Sequence, residues 1–460
     1  MKSQISRTVT FWTIAAFVSF GVGTGLAGQS QTEAAPGQSG SPAPLPTTES
    51  SPDQSDSRIE ELKARRRAQA GKSREKHLSG FERGLAEMEK TRFYRILNFN
   101  YRGLYPQFAT LSTGSGFAPG ARFWRPNIAG LPLDLQASGA YSFNGYQRYG
   151  LQFGHIQKRG SSFSLEGVGI GAAAQFDEAT PKEPGFFLYG DLTYRFYPQE
   201  DFFGLGPSSL DADRTDFLQE DMSYDAVGGW QVNRWLGAAV RLGYLQVNVN
   251  RGTDGRFPDT QDLFTDLQAP GLDRQPDFLD ITGAVLIDYR DRPGNPHKGG
   301  MIGFYLSRHD ERKGHEFEFK RAALDIRQFI PLFSEQRVIA VRFFTSADDA
   351  DNGSRIPFFL EEHLGGSETL RGFREFRFRD QRLMYLSAEY RWEAAHFLEL
   401  ALFYDTGKVF SQRSDFKFDN MEKSIGGGIR FKTPHATVLR IDMGRSDEGN
   451  RFFFKFGPSF

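Results

Sequence analysis

Three charged residues near the end of the chain, Arg371, Glu389 and Asp405, have the types and spacing to build one interaction. Arg371 lies in the segment 364–373, LGGSETLRGF, and is followed by Gly372, which lets the backbone turn tightly. The two carboxylates lie in successive runs of alternating side chains. In 383–392, Tyr385, Ser387, Glu389 and Arg391 share one face, against Met384, Leu386, Ala388, Tyr390 and Trp392. In 397–410, Glu399, Ala401, Phe403, Asp405 and Gly407 oppose Leu398, Leu400, Leu402 and Tyr404. Neighbouring strands lie about 4.8 Å apart, so both carboxylates can flank one planar fork of donors. Lysine would lose that bidentate geometry. The chemistry on offer is an ion-paired clasp between a loop and a wall.

Other chemistry is poorly provided for. The chain has no cysteine, which removes zinc ribbons, thiol enzymes, iron–sulfur sites and disulfide scaffolds. Its eight histidines show no HExxH or His-x3-His spacing, and no G-x-S-x-G elbow occurs. His363 follows Glu361 and Glu362 and is read as part of a solvated loop. No catalytic residue, metal site or cofactor is expected. A second charge cluster, Asp288, Arg290 and Asp291, sits at a strand end before Pro293-Gly294, Pro296 and Gly299, where the proline and glycine set a turn.

The elements that must position these groups are strands. Phe accounts for 45 of 460 residues and Gly for 50, beside a mean hydropathy of −0.49. From about Phe93 onward, some sixteen segments alternate with period two. They lie near 115–124, 134–144, 147–157, 161–176, 185–197, 216–232, 234–249, 278–290, 300–309, 316–330, 337–347, 383–392, 398–409, 424–432, 437–445 and 450–460. Most approach or exceed the roughly 9–11 residues of a tilted membrane-crossing strand, against five or six in soluble sheets. Aromatics at their ends (Tyr194, Phe196, Trp230, Trp235, Tyr390, Trp392) fit interface girdles. The fold class expected is all-β: a sixteen-stranded antiparallel transmembrane β-barrel over 93–460. A long inward-folded loop would lie between strands eleven and twelve.

Upstream, residues 1–28 read as a signal peptide, with Lys2 and Arg7 before an apolar run and small residues after it. Without cysteine, lipidation is excluded. Residues 29–57 are Ser-, Pro- and Gly-rich and form a disordered linker. Residues 58–92 carry eleven Lys/Arg against six Glu, with Leu78, Phe81, Leu85 and Met88 on one helix face. This basic segment is either a solvated helical spacer or a helix that docks on a periplasmic partner, an anionic headgroup layer or the barrel's pore. A net charge of −1 gives no sign of nucleic-acid binding.

With these residues in place, the chain resembles the BamA/TamA superfamily of bacterial outer-membrane barrels, which includes the two-partner secretion transporters. LGGSETLRGF is similar to that family's [VL]-R-G-[FY] signature on the sixth extracellular loop. Phe403-Tyr404-Asp405-Thr406-Gly407 matches its F-x-D-x-G strand motif, 288–299 (DYRDRPGNPHKG) its D-x-R-D-x4-P-x2-G, and 203–209 (FGLGPSS) its F-G-x-G segment. The resemblance implies a loop–barrel lock of Arg371, Gly372 and Phe373 with Glu389, Phe403, Asp405 and Gly407. It implies a C-terminal sorting signal, Phe452, Phe454, Phe456 and Phe460, read by the barrel-assembly machinery during the protein's own insertion. Pro458 departs from the usual aromatic and removes a strand donor, so the first-to-last seam is expected to be weak there. No βααββ POTRA module fits before the first strand, which suggests a short member of the superfamily. The implied function is insertion, translocation or transfer of protein or lipid components in contact with outer-membrane lipid. The alternative is a passive pore or structural anchor that docks a periplasmic protein through 58–92.

Overall fold

A computed structural model describes residues 102–112, 114–156, 184–395, 397–432 and 437–456. The expected signal, linker and basic segment therefore lie outside the described residues, as do Pro458 and Phe460. Sixteen antiparallel strands form one sheet in chain order. It begins with four short strands, β1 (Leu104–Ala109), β2 (Ala118–Arg125), β3 (Asp134–Tyr141) and β4 (Gln147–Gly154). Three long ones follow, β5 (Gly185–Phe202), β6 (Thr215–Gln231) and β7 (Leu236–Arg251). Next are β8 (Phe278–Asp288), β9 (Gly299–Glu311), β10 (Phe319–Leu332) and β11 (Ser334–Ala350). Residues 351–381 form the long connection, with its own two-stranded sheet of β12 (His363–Leu364) and β13 (Phe378–Arg379). The large sheet resumes with β14 (Arg382–Ala395), β15 (Leu398–Phe410), β16 (Glu422–Lys432), β17 (Thr437–Ser446) and β18 (Gly449–Phe456).

The strand number agrees with the sequence reading, but its membership differs. β1, LYPQFA, lacks a clean alternation and carries Pro106, which argues against a central strand. It occupies the sheet edge, where a missing donor is tolerated. The segment 161–176, expected as a strand, lies outside the described residues, while β4 and β5 pair directly from Gln147↔Phe196 to Gly154↔Tyr189.

Alternation sorts the residues as the period-two pattern requires. On β8, Leu279, Ile281, Val285 and Ile287 are exposed, while Phe278, Asp280, Thr282, Ala284, Leu286 and Asp288 are buried. Exposed apolar side chains recur on β7 (Val240, Leu242), β9 (Ile302, Phe304, Leu306), β16 (Ile425, Ile429) and β18 (Phe452, Phe454). That outward apolar face suits lipid, and buried inward groups are polar on many strands. The inner face is less uniformly polar than the sequence suggested. Phe187, Tyr189, Val227, Ala239, Leu286 and Met301 form an apolar cluster on it. A second cluster joins the strand ends at Phe202, Phe217, Val247 and Val249 to Phe358 and Phe359 of the long connection.

An even strand count puts the start of β1 and the end of β18 on the side opposite the long connection. β1 and β18 are the two edges of the sheet. They meet through Thr110, just past β1, whose hydroxyl donates to the Phe454 carbonyl at 3.1 Å, and the Phe117 ring just before β2 lies 6.4 Å from that of Phe456 and 6.2 Å from that of Phe143. No backbone ladder joins these two strands among the described residues.

Candidate functional site

The 351–381 connection packs against the inner face of β14–β17. Its turn is built by Gly365 and Gly366, at φ +113° and +85°, with Thr369 Oγ1 accepting from the Gly365 N–H at 2.9 Å. Leu364, Leu370, Phe373 and Phe378 bury themselves with Leu383, Tyr385 and Val409 of the wall. This apolar anchor carries Arg371 to a fixed place.

Arg371 is 1% exposed and uses its whole fork. Nε donates to Asp405 Oδ2 at 2.8 Å, Nη2 to Asp405 Oδ1 at 2.7 Å and Nη1 to Glu389 Oε2 at 2.7 Å. The guanidinium carbon stands 3.5 Å from the centroid of the Phe403 ring, so an aromatic face covers one side of the cation. Asp405 also accepts from Ser387 Oγ at 2.7 Å. Glu389 in turn accepts from Arg430 through both its oxygens at 2.6 Å and from Arg391 at 2.5 Å. The sequence places one arginine against two carboxylates; the structure adds two wall arginines on Glu389, which offset the excess negative charge. Asp442 of β17 completes the surround, with Oδ2 3.9 Å from Arg371 Nη1.

Gly372 has a different reason from the one its sequence suggests. Its φ is not positive, so tight turning is not what excludes a side chain. A Cβ there would lie 2.7 Å from Ser424 Cβ and 2.8 Å from the Arg445 carbonyl carbon. Gly444 mirrors it from β17: a Cβ would fall 2.0 Å from the Arg371 carbonyl oxygen. Loop and wall thus touch backbone to backbone, and Ser446 Oγ donates to the Gly372 carbonyl at 2.9 Å. Gly407 meets Leu364 of the same loop, its Cβ position 3.0 Å from Leu364 Cδ1.

Sequence reasoning missed three further attachments. Arg440 of β17 donates to Glu368 of the loop at 2.7 Å. Arg377 bonds Glu448 in the β17–β18 hairpin at 2.6 Å and the hydroxyl of Ser209 at 2.9 Å. The Gly206 N–H donates to the Arg379 carbonyl at 2.7 Å, so 203–209 is a docking surface for β13. Nothing in the spacing of these residues marks them, because their partners are distant in sequence. We expect a Glu368→Gln, Arg440→Gln double-mutant cycle to show coupling of about 0.5–3 kcal/mol in denaturant unfolding. Additive single effects would show that the contact contributes no coupling.

Glu361 and Glu362, read from sequence as solvated, are buried because the connection folds back onto the strand ends. Glu362 pairs with Arg321 at 3.0 Å. Burial pushes its carboxyl up to about 7, with Arg321 opposing and Asp348 adding. Burial likewise raises Glu361 and lowers His363.

The strand-end motif lies at the opposite end of the barrel, apart from Arg371. Arg290 donates to both Asp288 oxygens at 2.9 Å, and Asp291 accepts from the His297 and Lys298 N–H groups at 3.0 and 3.1 Å. Pro296 is buried within this turn, and Gly299 takes a φ of +91°. Of the terminal aromatics, Phe452 and Phe454 face outward at 72% and 48% exposure, while Phe456 packs edge-on against Phe454.

Residues 123–460 match the Omp85 superfamily domain. No curated protein matches the chain. Among solved structures, BamA from Haemophilus ducreyi lacking POTRA domains 1–3 aligns at a TM-score of 0.53 and 15% identity, over 78% of this chain and 70% of that one. CdiB from Escherichia coli aligns at 0.47 and 9%, over 78% and 68%. CdiB from Acinetobacter baumannii aligns at 0.42 and 11%, over 78% and 60%, so the chain spans less than two thirds of that relative.

Proposed function

The chain belongs to the Omp85 superfamily of bacterial outer-membrane barrels, and from that premise we propose that it inserts, translocates or transfers protein or lipid components through its β1–β18 seam. In this reading the Arg371–Glu389–Asp405 cluster holds the inner loop against the wall while the seam opens and closes. The observation that carries it is the seam itself. Fifteen strand pairs are joined by backbone ladders, whereas no ladder joins the edges β1 and β18 among the described residues, and a bond from Thr110, just past β1, to the Phe454 carbonyl crosses between them. A hydrogen bond contributes about 0.5–1.5 kcal/mol net, so along the described residues this edge is the natural line for the wall to part.

Depletion in the native host tests the proposal. Loss of other outer-membrane proteins, or of lipid asymmetry, is the expected result. A defect limited to solute uptake would overturn it in favour of a passive pore, the reading that a wide sixteen-strand barrel also favours. Docking of a periplasmic protein through 58–92 belongs to either reading, and truncating that segment would separate docking from barrel activity.

A further inference from the structure

We infer that a groove on the outer wall of β15–β17 binds the phosphate of a membrane lipid headgroup. The groove measures about 420 Å³ and is lined by Tyr404, Lys423, Ile425 and Arg445, among others. It lies at the end of the barrel that carries the long connection, where β16 begins and β17 ends.

Register builds the site. Ile425 sits opposite both Tyr404 and Arg445, and Lys423 stands two residues further along β16. Lys423 and Arg445 are therefore diagonal neighbours, about 7–8 Å apart at their backbones, a gap that their long side chains can close on one anion. Both point outward and are exposed. Directly beneath them the wall is apolar: Ile425 is 62% exposed, and Tyr404 and Met443 are 43% exposed. Two cations above an aromatic and an aliphatic patch match the headgroup–acyl boundary of a bilayer.

Charge matching selects the ligand. Neither Lys423 nor Arg445 makes an ion pair among the described residues. The cations of a neighbouring groove, by contrast, already share a carboxylate, since Arg382 and Arg413 both pair with Asp349. Two carboxylates, Glu422 and Asp447, line the groove as well. Alternation turns Glu422 toward the lumen side of β16, and Asp447 lies in the β17–β18 hairpin beyond the strand. The outward cations remain for an external anion, and an arginine fork beside a lysine suits phosphate. The acyl chains of a lipid would lie along Ile425 and Met443.

Native mass spectrometry of the full-length protein in detergent tests this, with lipid A, the same lipid after removal of its phosphates, and soluble glucosamine phosphate as probes. Adducts are expected with the phosphorylated lipid alone. Replacing both cations, Lys423→Gln with Arg445→Gln, should weaken them about thirtyfold, from two surface charges. Heat-modified gel migration verifies folding of the variant, and the phosphorylated-against-dephosphorylated comparison stands without any variant. Equal binding of the dephosphorylated lipid, equal binding by the variant, or equally strong binding of the soluble sugar phosphate would each overturn the assignment.

Discussion

Arg371→Ala should lower the stability of the barrel by about 3–5 kcal/mol, the cost of leaving buried charges without their partner. Two carboxylates lose donors at once, since Arg371 holds Asp405 through two nitrogens and Glu389 through a third. Arg430 and Arg391 still neutralise Glu389, so the larger share of the loss falls on Asp405, which keeps hydroxyl donors such as Ser387 and Ser424 and the backbone N–H of residue 371 but loses its cation. Arg371→Lys should recover part of the Coulomb attraction but not the fork, and should fall between wild type and alanine. Urea unfolding with heat-modified gel migration measures the series. Identical midpoints for all three proteins would mean that the cluster does not hold the loop.

Gly444→Ala should be nearly as damaging while leaving every charge in place. The new methyl would sit 2.0 Å from the Arg371 carbonyl oxygen and 2.4 Å from its carbonyl carbon. Backbone atoms cannot rotate aside as a side-chain tip can, so the loop must lift from the wall. Overpacking of this kind costs about 1–3 kcal/mol, and more where the displaced segment carries other contacts. The readout is limited proteolysis within 351–381, expected to quicken in this variant. A cleavage rate equal to wild type would show that the loop accommodates the methyl. Comparison with Arg371→Ala then separates shape from charge, because one variant keeps every charged group and the other keeps the close backbone fit.

Much of this site was legible because it uses alternation. Once Leu383–Trp392 and Phe397–Phe410 are strands, parity alone places Glu389 with Asp405 on the inner face, and both are buried there. The resemblance supplied Arg371 and Gly372. What neither route could supply were contacts between segments remote in sequence: Gly444 under Arg371, Arg440 on Glu368, Ser209 on Arg377. A glycine in a strand reads as a weak point or a bulge, and only the approach of another backbone reveals the need for it. β1 was hidden for a local reason, Pro106 in a six-residue strand. Burial of Glu361 and Glu362 was equally invisible, since consecutive acids suggest solvent until the loop is known to fold back.

The two ends of β18 are held in unlike ways. At Gly449 the hairpin is fastened through Glu448 to Arg377, which is itself bonded to Ser209 and shielded by Phe378, with 4.5 Å from guanidinium to ring centroid. At Phe454 the strand keeps its ladder to β17, and across the seam it accepts a bond from the Thr110 hydroxyl among the described residues. Mechanically, the final hairpin is a lever with its fulcrum at the loop end. Force applied to the chain terminus would swing Phe454 and Phe456 away from β1 while Glu448 stays put, so the seam would part as a wedge that is widest at the terminal end.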